Sequence, residues 1–322
     1  MTLLMTLRWG LLGTARISRS SLLPALRAAG QQIVAVGSRD TARAEAFARE
    51  EGIARGGSYD DLLNDPSIEA VYNPLPNSEH LPMTLRALAA GKHVLCEKPL
   101  ALNAAEVEQM YAAARRAGRV VLEAFSYRFH PQVDRALELV RSGGIGELRR
   151  MQGSFCFQLT RPEDIRWSPE LGGGALYDVG CYPINLARLL AGSDPVRATG
   201  WAELTERGVD HTFSGSLEFA AARLGFDCSF VLARSQSFTA LGTEGSVHLE
   251  LPFSSKGQAV VLRVNGLEER FEPCDPYQRM VEHFAAVAGG ETARWGEADA
   301  LGQARTLDAL FASAQAGRPV EL

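Results

Sequence analysis

Short apolar runs, each closed by glycine, proline or a polar residue, recur through the first third of the chain: Trp9–Leu12, Ile33–Gly37, Ala70–Asn73, His93–Cys96 and Val120–Ala124. Runs of this length without polar alternation suit parallel strands buried on both faces. Between them the apolar positions fall into a helical period over Ser18–Ala29, Thr41–Glu51, His80–Ala90 and Asn103–Ala117. Leu81, Leu85 and Leu88 share one face, and Asn103 followed by Glu106 predicts an N-terminal cap. Pro24 is expected to kink or break the first helix, since it lacks an N–H and its ring clashes with the preceding turn. Strand and helix alternating at this spacing predict an α/β domain with a doubly wound parallel sheet. Ligands of such sheets bind at the carboxyl ends of the strands.

From about Tyr127 the rhythm changes. A helix over Pro131–Arg141 and a glycine-rich turn lead to a strand over Leu148–Gln158, then to a loop and helix over Leu171–Leu190. Strand-like stretches follow at Val196–Leu204, His211–Phe219, Arg223–Leu232, Ser237–Leu241, Ser246–Leu251, Ala259–Asn265 and Glu268–Glu272. Tight turns between them predict a largely antiparallel open sheet, and helices over Pro276–Ala288 and Gly296–Ala316 close the chain. The division is therefore a dinucleotide-binding Rossmann domain at 1–125 and a substrate-binding, oligomerising α+β domain at 126–322. A sheet with one helix-free face favours self-association as a homodimer or homotetramer.

Composition narrows the partners. The chain has 322 residues, more than one ordinary core holds, and its net charge of −5 argues against nucleic acid, which requires a concentrated basic surface. No apolar run is long enough to span a membrane. The apolar start, Met1–Leu7, lacks a basic leader and a cleavage site and is expected to lead raggedly into the first strand. Five scattered cysteines form no C-x-x-C pair, so neither a disulfide framework nor a metal site is expected, and a reducing cytoplasm suits them. Cys96 and Cys181 are expected to be small buried side chains.

Candidate chemistry begins at the first strand's end. Gly13-Thr14-Ala15-Arg16-Ile17-Ser18 fills the G-x-G-x-x-G window in a degraded form. Gly13 makes the tight turn, and Ala15 and Ser18 are small enough to admit a pyrophosphate to a helix N-terminus. The second strand ends Gly37-Ser38-Arg39, with a hydroxyl and a guanidinium where an NAD-selective protein carries an acid. Arg39 can pair with a ribose 2′-phosphate, which favours NADP, with NAD as the alternative. Asn77 and His80 are placed to contact the nicotinamide ribose. Lys98, in Glu97-Lys98-Pro99, puts a cation at the mouth of the sheet, where nicotinamide and a substrate alcohol would meet.

These segments, with Pro74–His80, Gly91–Pro99, Tyr127–Pro131 and Leu171–Pro183, resemble the glucose–fructose oxidoreductase / inositol dehydrogenase / rhizopine-catabolism (Gfo/Idh/MocA) family in order and spacing along the whole chain. The nearest branch holds NADP-dependent xylose dehydrogenases, 1,5-anhydrofructose reductases and trans-dihydrodiol dehydrogenases. The resemblance implies that Lys98 contacts the substrate hydroxyl and relays its proton, with Glu97 in the cofactor site; a cis Pro99 peptide, an open question in the sequence, would aim Lys98 into the cleft. It implies that Asp178 and Tyr182 form the second motif, an acid followed four residues later by His or Tyr. Tyr at 182 and Asn185, where many members carry Asp, set this chain apart from the inositol enzymes.

The chemistry is consistent with these roles. Oxidising an alcohol requires removal of its hydroxyl proton as hydride departs. A tyrosine acting near neutrality needs its pKa lowered by roughly two to three units, about 3–4 kcal/mol. One ammonium about 4 Å away, at an effective dielectric near 20, supplies about 4 kcal/mol. Asp178 would orient Lys98 or bind a hydroxyl. Tyr127, Arg128 and Trp167 are candidates for the substrate pocket and Arg166 for the cofactor, with Gly172-Gly173-Gly174 a closing segment.

The expected function is hydride transfer between NADP and a cyclic sugar, foremost an aldose dehydrogenase. A 1,5-anhydrofructose reductase or a trans-dihydrodiol dehydrogenase would use the same residues. A non-catalytic NADP-sensing regulatory protein is the alternative of another class.

Overall fold

The computed structural model describes residues 5–322; of the ragged start expected over Met1–Leu7, residues 1–4 lie outside the described residues. In the first part of the chain the strands are β1 (Arg8–Leu12), β2 (Gln32–Gly37), β3 (Arg55–Gly57), β4 (Ala70–Asn73), β5 (His93–Cys96) and β6 (Val121–Glu123). The helices there are α1 (Leu23–Ala28), α2 (Thr41–Glu51), α3 (Tyr59–Asn64), α4 (His80–Ala89) and α5 (Ala104–Ala117). Then come α6 (Pro131–Arg141), β7 (Leu148–Cys156), α7 (Cys181–Ala191), β8 (Arg197–Leu204), β9 (Asp210–Glu218) and β10 (Arg223–Ser229). The chain ends with β11 (Ser235–Gly242), β12 (Ser246–Leu249), β13 (Val260–Val264), β14 (Leu267–Phe271), α8 (Pro276–Ala288), α9 (Glu297–Ala316) and β15 (Val320–Glu321).

The first compact unit runs to Ser126 and adds Asp275–Ala300. Its six strands lie in the order β3-β2-β1-β4-β5-β6, and every pair among them is parallel. The order reverses beside β1, so β1 and β4 flank the switch point at which such sheets hold ligands. The returning segment departs from a simple division at residue 125. Helix α8 packs on α1, and its Phe284 lies 5.0 Å from the ring of Trp9, both fully buried. An apolar face on α8 predicts burial but not against which sheet, so sequence periodicity could not assign it.

Two proline-bearing helical runs share a device. Pro24 does not break its helix: a π-turn over Ser18–Leu22 runs directly into α1. Likewise a π-turn over Leu176–Gly180 runs into α7, which carries Pro183 in its first turn. A proline inside a helical run cannot donate to the carbonyl four residues back and crowds it. Widening the preceding turn relieves both problems. Asn103 caps α5 as expected, its side chain accepting from the Glu106 N–H at 2.9 Å. The short elements β3, α3 and β15 were not expected; two to six residues carry too little periodicity to read.

The second unit comprises Tyr127–Cys274 and Leu301–Leu322. Its nine strands lie in the order β14-β13-β12-β11-β7-β10-β9-β8-β15, antiparallel except for β7 with β10. Helix α7 and the π-turn before it pack on β7 and β10. Gly153 of β7 allows that approach, since a Cβ there would lie 2.6 Å from Pro183. Gly200 of β8 likewise lies under the carbonyl of Leu310 in α9. The opposite face carries Trp201, 61% exposed.

Candidate active site

In the first unit the loops after β1 and β4 meet at Gly13. Its φ is +79°, and a Cβ would sit 2.9 Å from Leu75, so both backbone and space require glycine. The Gly13 N–H bonds the Gly37 carbonyl at 2.7 Å, fixing the turn to the end of β2. Thr14 and Ala15 are half-buried and Arg16 is exposed, and Ile17 leads into the π-turn. Ser18, at the third small position, is fully buried, and its hydroxyl oxygen has no partner. A bare loop, an unsatisfied hydroxyl and the open start of a helical run fit a phosphate-bearing dinucleotide. Among the described residues no His/Cys/Asp/Glu group could hold a metal ion.

Thr14, Ala15 and Arg16 also line a cleft of about 420 Å³ with Arg43 and Phe47. At the end of β2, Ser38 is buried and its hydroxyl accepts the Asp40 N–H, while Arg39 is exposed. Burial raises the pKa of the Tyr59 phenol, and the Arg39 guanidinium's charge opposes that rise. Arg43 and Tyr59 were missed in the sequence. Arg43 was detectable as the residue one turn after Arg39, in the α2 turn capped by Asp40. Tyr59 rides on the unread helix α3.

Glu97 and Lys98 follow β5, and both are half-buried. The Glu97 carboxylate accepts the Tyr72 hydroxyl at 2.5 Å and the Lys98 N–H at 3.3 Å. The Lys98–Pro99 bond is cis. Asn77 opens the short turn after β4 and is half-buried.

His80 corrects the expected ribose contact. Its ring is fully buried, with Nδ1 2.9 Å from the Pro99 carbonyl and Nε2 2.9 Å from that of Leu75. Burial pushes its pKa down to about 4, against the pull of the carbonyls and with help from the Lys98 charge. His80 is a neutral brace between the loops after β4 and β5.

In the second unit Asp178 lies in the π-turn and Tyr182 at the start of α7, in one continuous helical run. The Asp178 carboxylate takes Arg166 Nε at 2.6 Å, and Arg166 Nη1 holds Asp164 at 3.0 Å. Arg166 is thus clasped by two acids, which raises its pKa further and removes the grounds for assigning it to the cofactor. Trp167 is half-buried, edge-on to Phe230 at 5.4 Å, with its indole N–H on the Arg161 carbonyl. The Tyr182 ring has Tyr127, Phe155 and Phe253 at 5.6, 5.4 and 5.5 Å.

Tyr127 and Arg128 correct a second expectation. They are 1% and 3% exposed, and both donate to Asn185 Oδ1, at 2.6 and 2.8 Å. Asn185 in turn bonds Gln303, which reaches the Cys181 carbonyl at 2.9 Å. The pair therefore braces α7 from within rather than lining a pocket. Cys96 and Cys181 are buried thiols, as expected.

Two sequence patterns match. "Oxidoreductase family, NAD-binding Rossmann fold" covers residues 7–125, and "GFO/IDH/MocA C-terminal domain" covers 133–248. The chain is 40% identical to a D-xylose 1-dehydrogenase (NADP(+)) of Haloferax volcanii, over 98% of this chain and 99% of that protein. It is 35% identical to the trans-1,2-dihydrobenzene-1,2-diol dehydrogenase of Mus musculus, over 84% and 81%. The crystal structure of an aldose-aldose oxidoreductase from Caulobacter crescentus superposes with a TM-score of 0.90 at 28% identity, covering 98% of this chain and all of that one. A likeness that runs through both units at this identity leaves one assignment: the chain belongs to the Gfo/Idh/MocA family of oxidoreductases.

Proposed function

We propose that the protein is an NADP-dependent dehydrogenase of a cyclic sugar, oxidising an aldopyranose at C1. The carrying observation is the near end-to-end likeness to an NADP-dependent xylose dehydrogenase. Arg39, with Arg43 one turn on and Ser38 beside it, supports a 2′-phosphate at the end of β2. When bound, the nicotinamide supplies the hydride acceptor. Lys98 and Tyr182 share the proton transfer: Tyr182, as its phenolate, takes the hydroxyl proton and returns it in the reverse direction, and the Lys98 ammonium stabilises the negative charge on the substrate oxygen. Asp178, held by Arg166, is the acceptor for a neighbouring sugar hydroxyl.

Substrate-dependent NADPH formation at 340 nm over a panel of aldoses tests the reading. Lys98→Ala is expected to lower kcat by about 10²–10⁴-fold, the usual worth of a proton-transfer group, with NADP affinity nearly unchanged. An alanine variant that turns over normally would remove Lys98 from the mechanism. A protein that binds NADP yet is inert to every sugar and diol would be a sensor. The Phe155 and Phe253 rings beside Tyr182 favour a second reading, a planar cyclic diol as substrate. The exposed face bearing Trp201 suits a homodimer or homotetramer, which light scattering would measure. Five free cysteines suit a reducing cytoplasm.

A further inference from the structure

The helical run that carries Asp178 and Tyr182 starts without a cap of its own. Ala175 stands at its N-cap and offers no side-chain acceptor, and Gly172, Gly173 and Gly174 precede it. The first N–H groups of a helix need partners, and a buried start without them is unstable. We infer that Asp210 is the positioning residue of this run, its carboxylate reaching from the start of β9 to cap the turn that presents Asp178 and Tyr182.

Asp210 is 4% exposed, and its Oδ2 accepts the Leu176 N–H at 2.7 Å. The Ala175 N–H also favours its charged form. Its Oδ1 lies 2.1 Å from where a Cβ on Gly174 would be, and Gly174 has a φ of +126°. Glycine at 174 is thus what admits the carboxylate. The same residue is tied on both sides: its N–H bonds the Arg166 carbonyl, and its carbonyl accepts the Asp178 N–H at 3.0 Å. Arg166 then returns through its guanidinium to the Asp178 carboxylate. Gly174, Arg166 and Asp178 therefore form a closed loop of bonds, and Asp210, bonded to Leu176 in the same turn, anchors it to the sheet.

A carboxylate also suits the positive end of a helical run. Burial nevertheless raises its pKa to about 7, opposed only by backbone N–H groups. A buried acid that depends on N–H donors for its charge is poorly explained by fold stability alone. Its role in holding the site accounts for it.

The inference rests on the reading of Asp178 and Tyr182 as catalytic, and its test separates the two. Asp210→Asn keeps the shape but turns one acceptor into a donor. Gly174→Ala is an independent route, since its Cβ displaces the carboxylate. In the full-length protein both variants are expected to exchange the amides of residues 175–182 at least tenfold faster by hydrogen–deuterium mass spectrometry. Exchange in β1–β6 should be unchanged. With the best aldose, kcat should fall at least tenfold while the NADPH dissociation constant stays within threefold. Wild-type exchange at 175–182 in both variants, or loss of protection spread evenly over the second unit, overturns the positioning role. If the wild-type enzyme turns over no sugar or diol, the catalytic reading fails, and the exchange result alone still decides Asp210.

Discussion

Acidification should destabilise this protein through His80. The ring is fully buried, and two carbonyl oxygens face its two nitrogens. A neutral imidazole can donate to only one of them, and an imidazolium would satisfy both at the cost of burying a charge beside Lys98. Burial wins, and the folded pKa falls to about 4 from an ordinary value of 6.5. Because the folded value is depressed, the unfolded chain takes up the proton first. The contribution is complete above about pH 6.5 and is lost as pH falls through about 4. A gap of about 2.5 pH units at about 1.36 kcal/mol per unit is worth about 3 kcal/mol. Urea unfolding of the wild type and of His80→Gln, compared at pH 7 and pH 4, should show the wild type losing about 3 kcal/mol relative to the variant. A ¹⁵N titration of the imidazole, assigned with the same variant, reports the midpoint directly. A midpoint at or above 6.5 would refute the reasoning, since it would mean that the two carbonyls outweigh burial.

Two further substitutions probe the first unit. Lys92 is 4% exposed and donates to the Asp65 and Ile68 carbonyls at 2.6 and 2.8 Å, so Lys92→Met leaves both oxygens without that donor; a loss of about 2–4 kcal/mol in urea is expected, and a loss below about 1 kcal/mol would show that water replaces it. Arg39→Ala should lower kcat/KM with NADP by about tenfold, about 1.4 kcal/mol, while NAD is little affected; equal effects on both cofactors would exclude a contact to the 2′-phosphate.

The parallel sheet was readable because its strands are buried on both faces and so appear as unbroken apolar runs. The open sheet was readable through its turns, although the parallel pairing of β7 with β10 joins segments with no local signal of direction. Tyr127 and Arg128 were misplaced because their position after β6 is visible in sequence, whereas Asn185, about sixty residues on, is not. His80 failed for the same reason: a histidine at a strand's carboxyl end looks like a ligand contact until two carbonyls close on it. Pro24 was read as an interruption, and only the backbone reveals the wide turn that absorbs it. Asp210 carried no motif at all, because its partner amides lie more than thirty residues away.

The packing of Phe284 on Trp9 bears on how the polypeptide matures at the ribosome. The first unit buries β1 under a helix encoded some 270 residues later, so its interior cannot close until nearly the whole chain has been synthesised. A fragment ending at Ser126 would leave Trp9 and the apolar side of α1 uncovered, a surface prone to aggregation. Anyone seeking the nucleotide-binding half in isolation should graft α8 onto it through a linker rather than truncate.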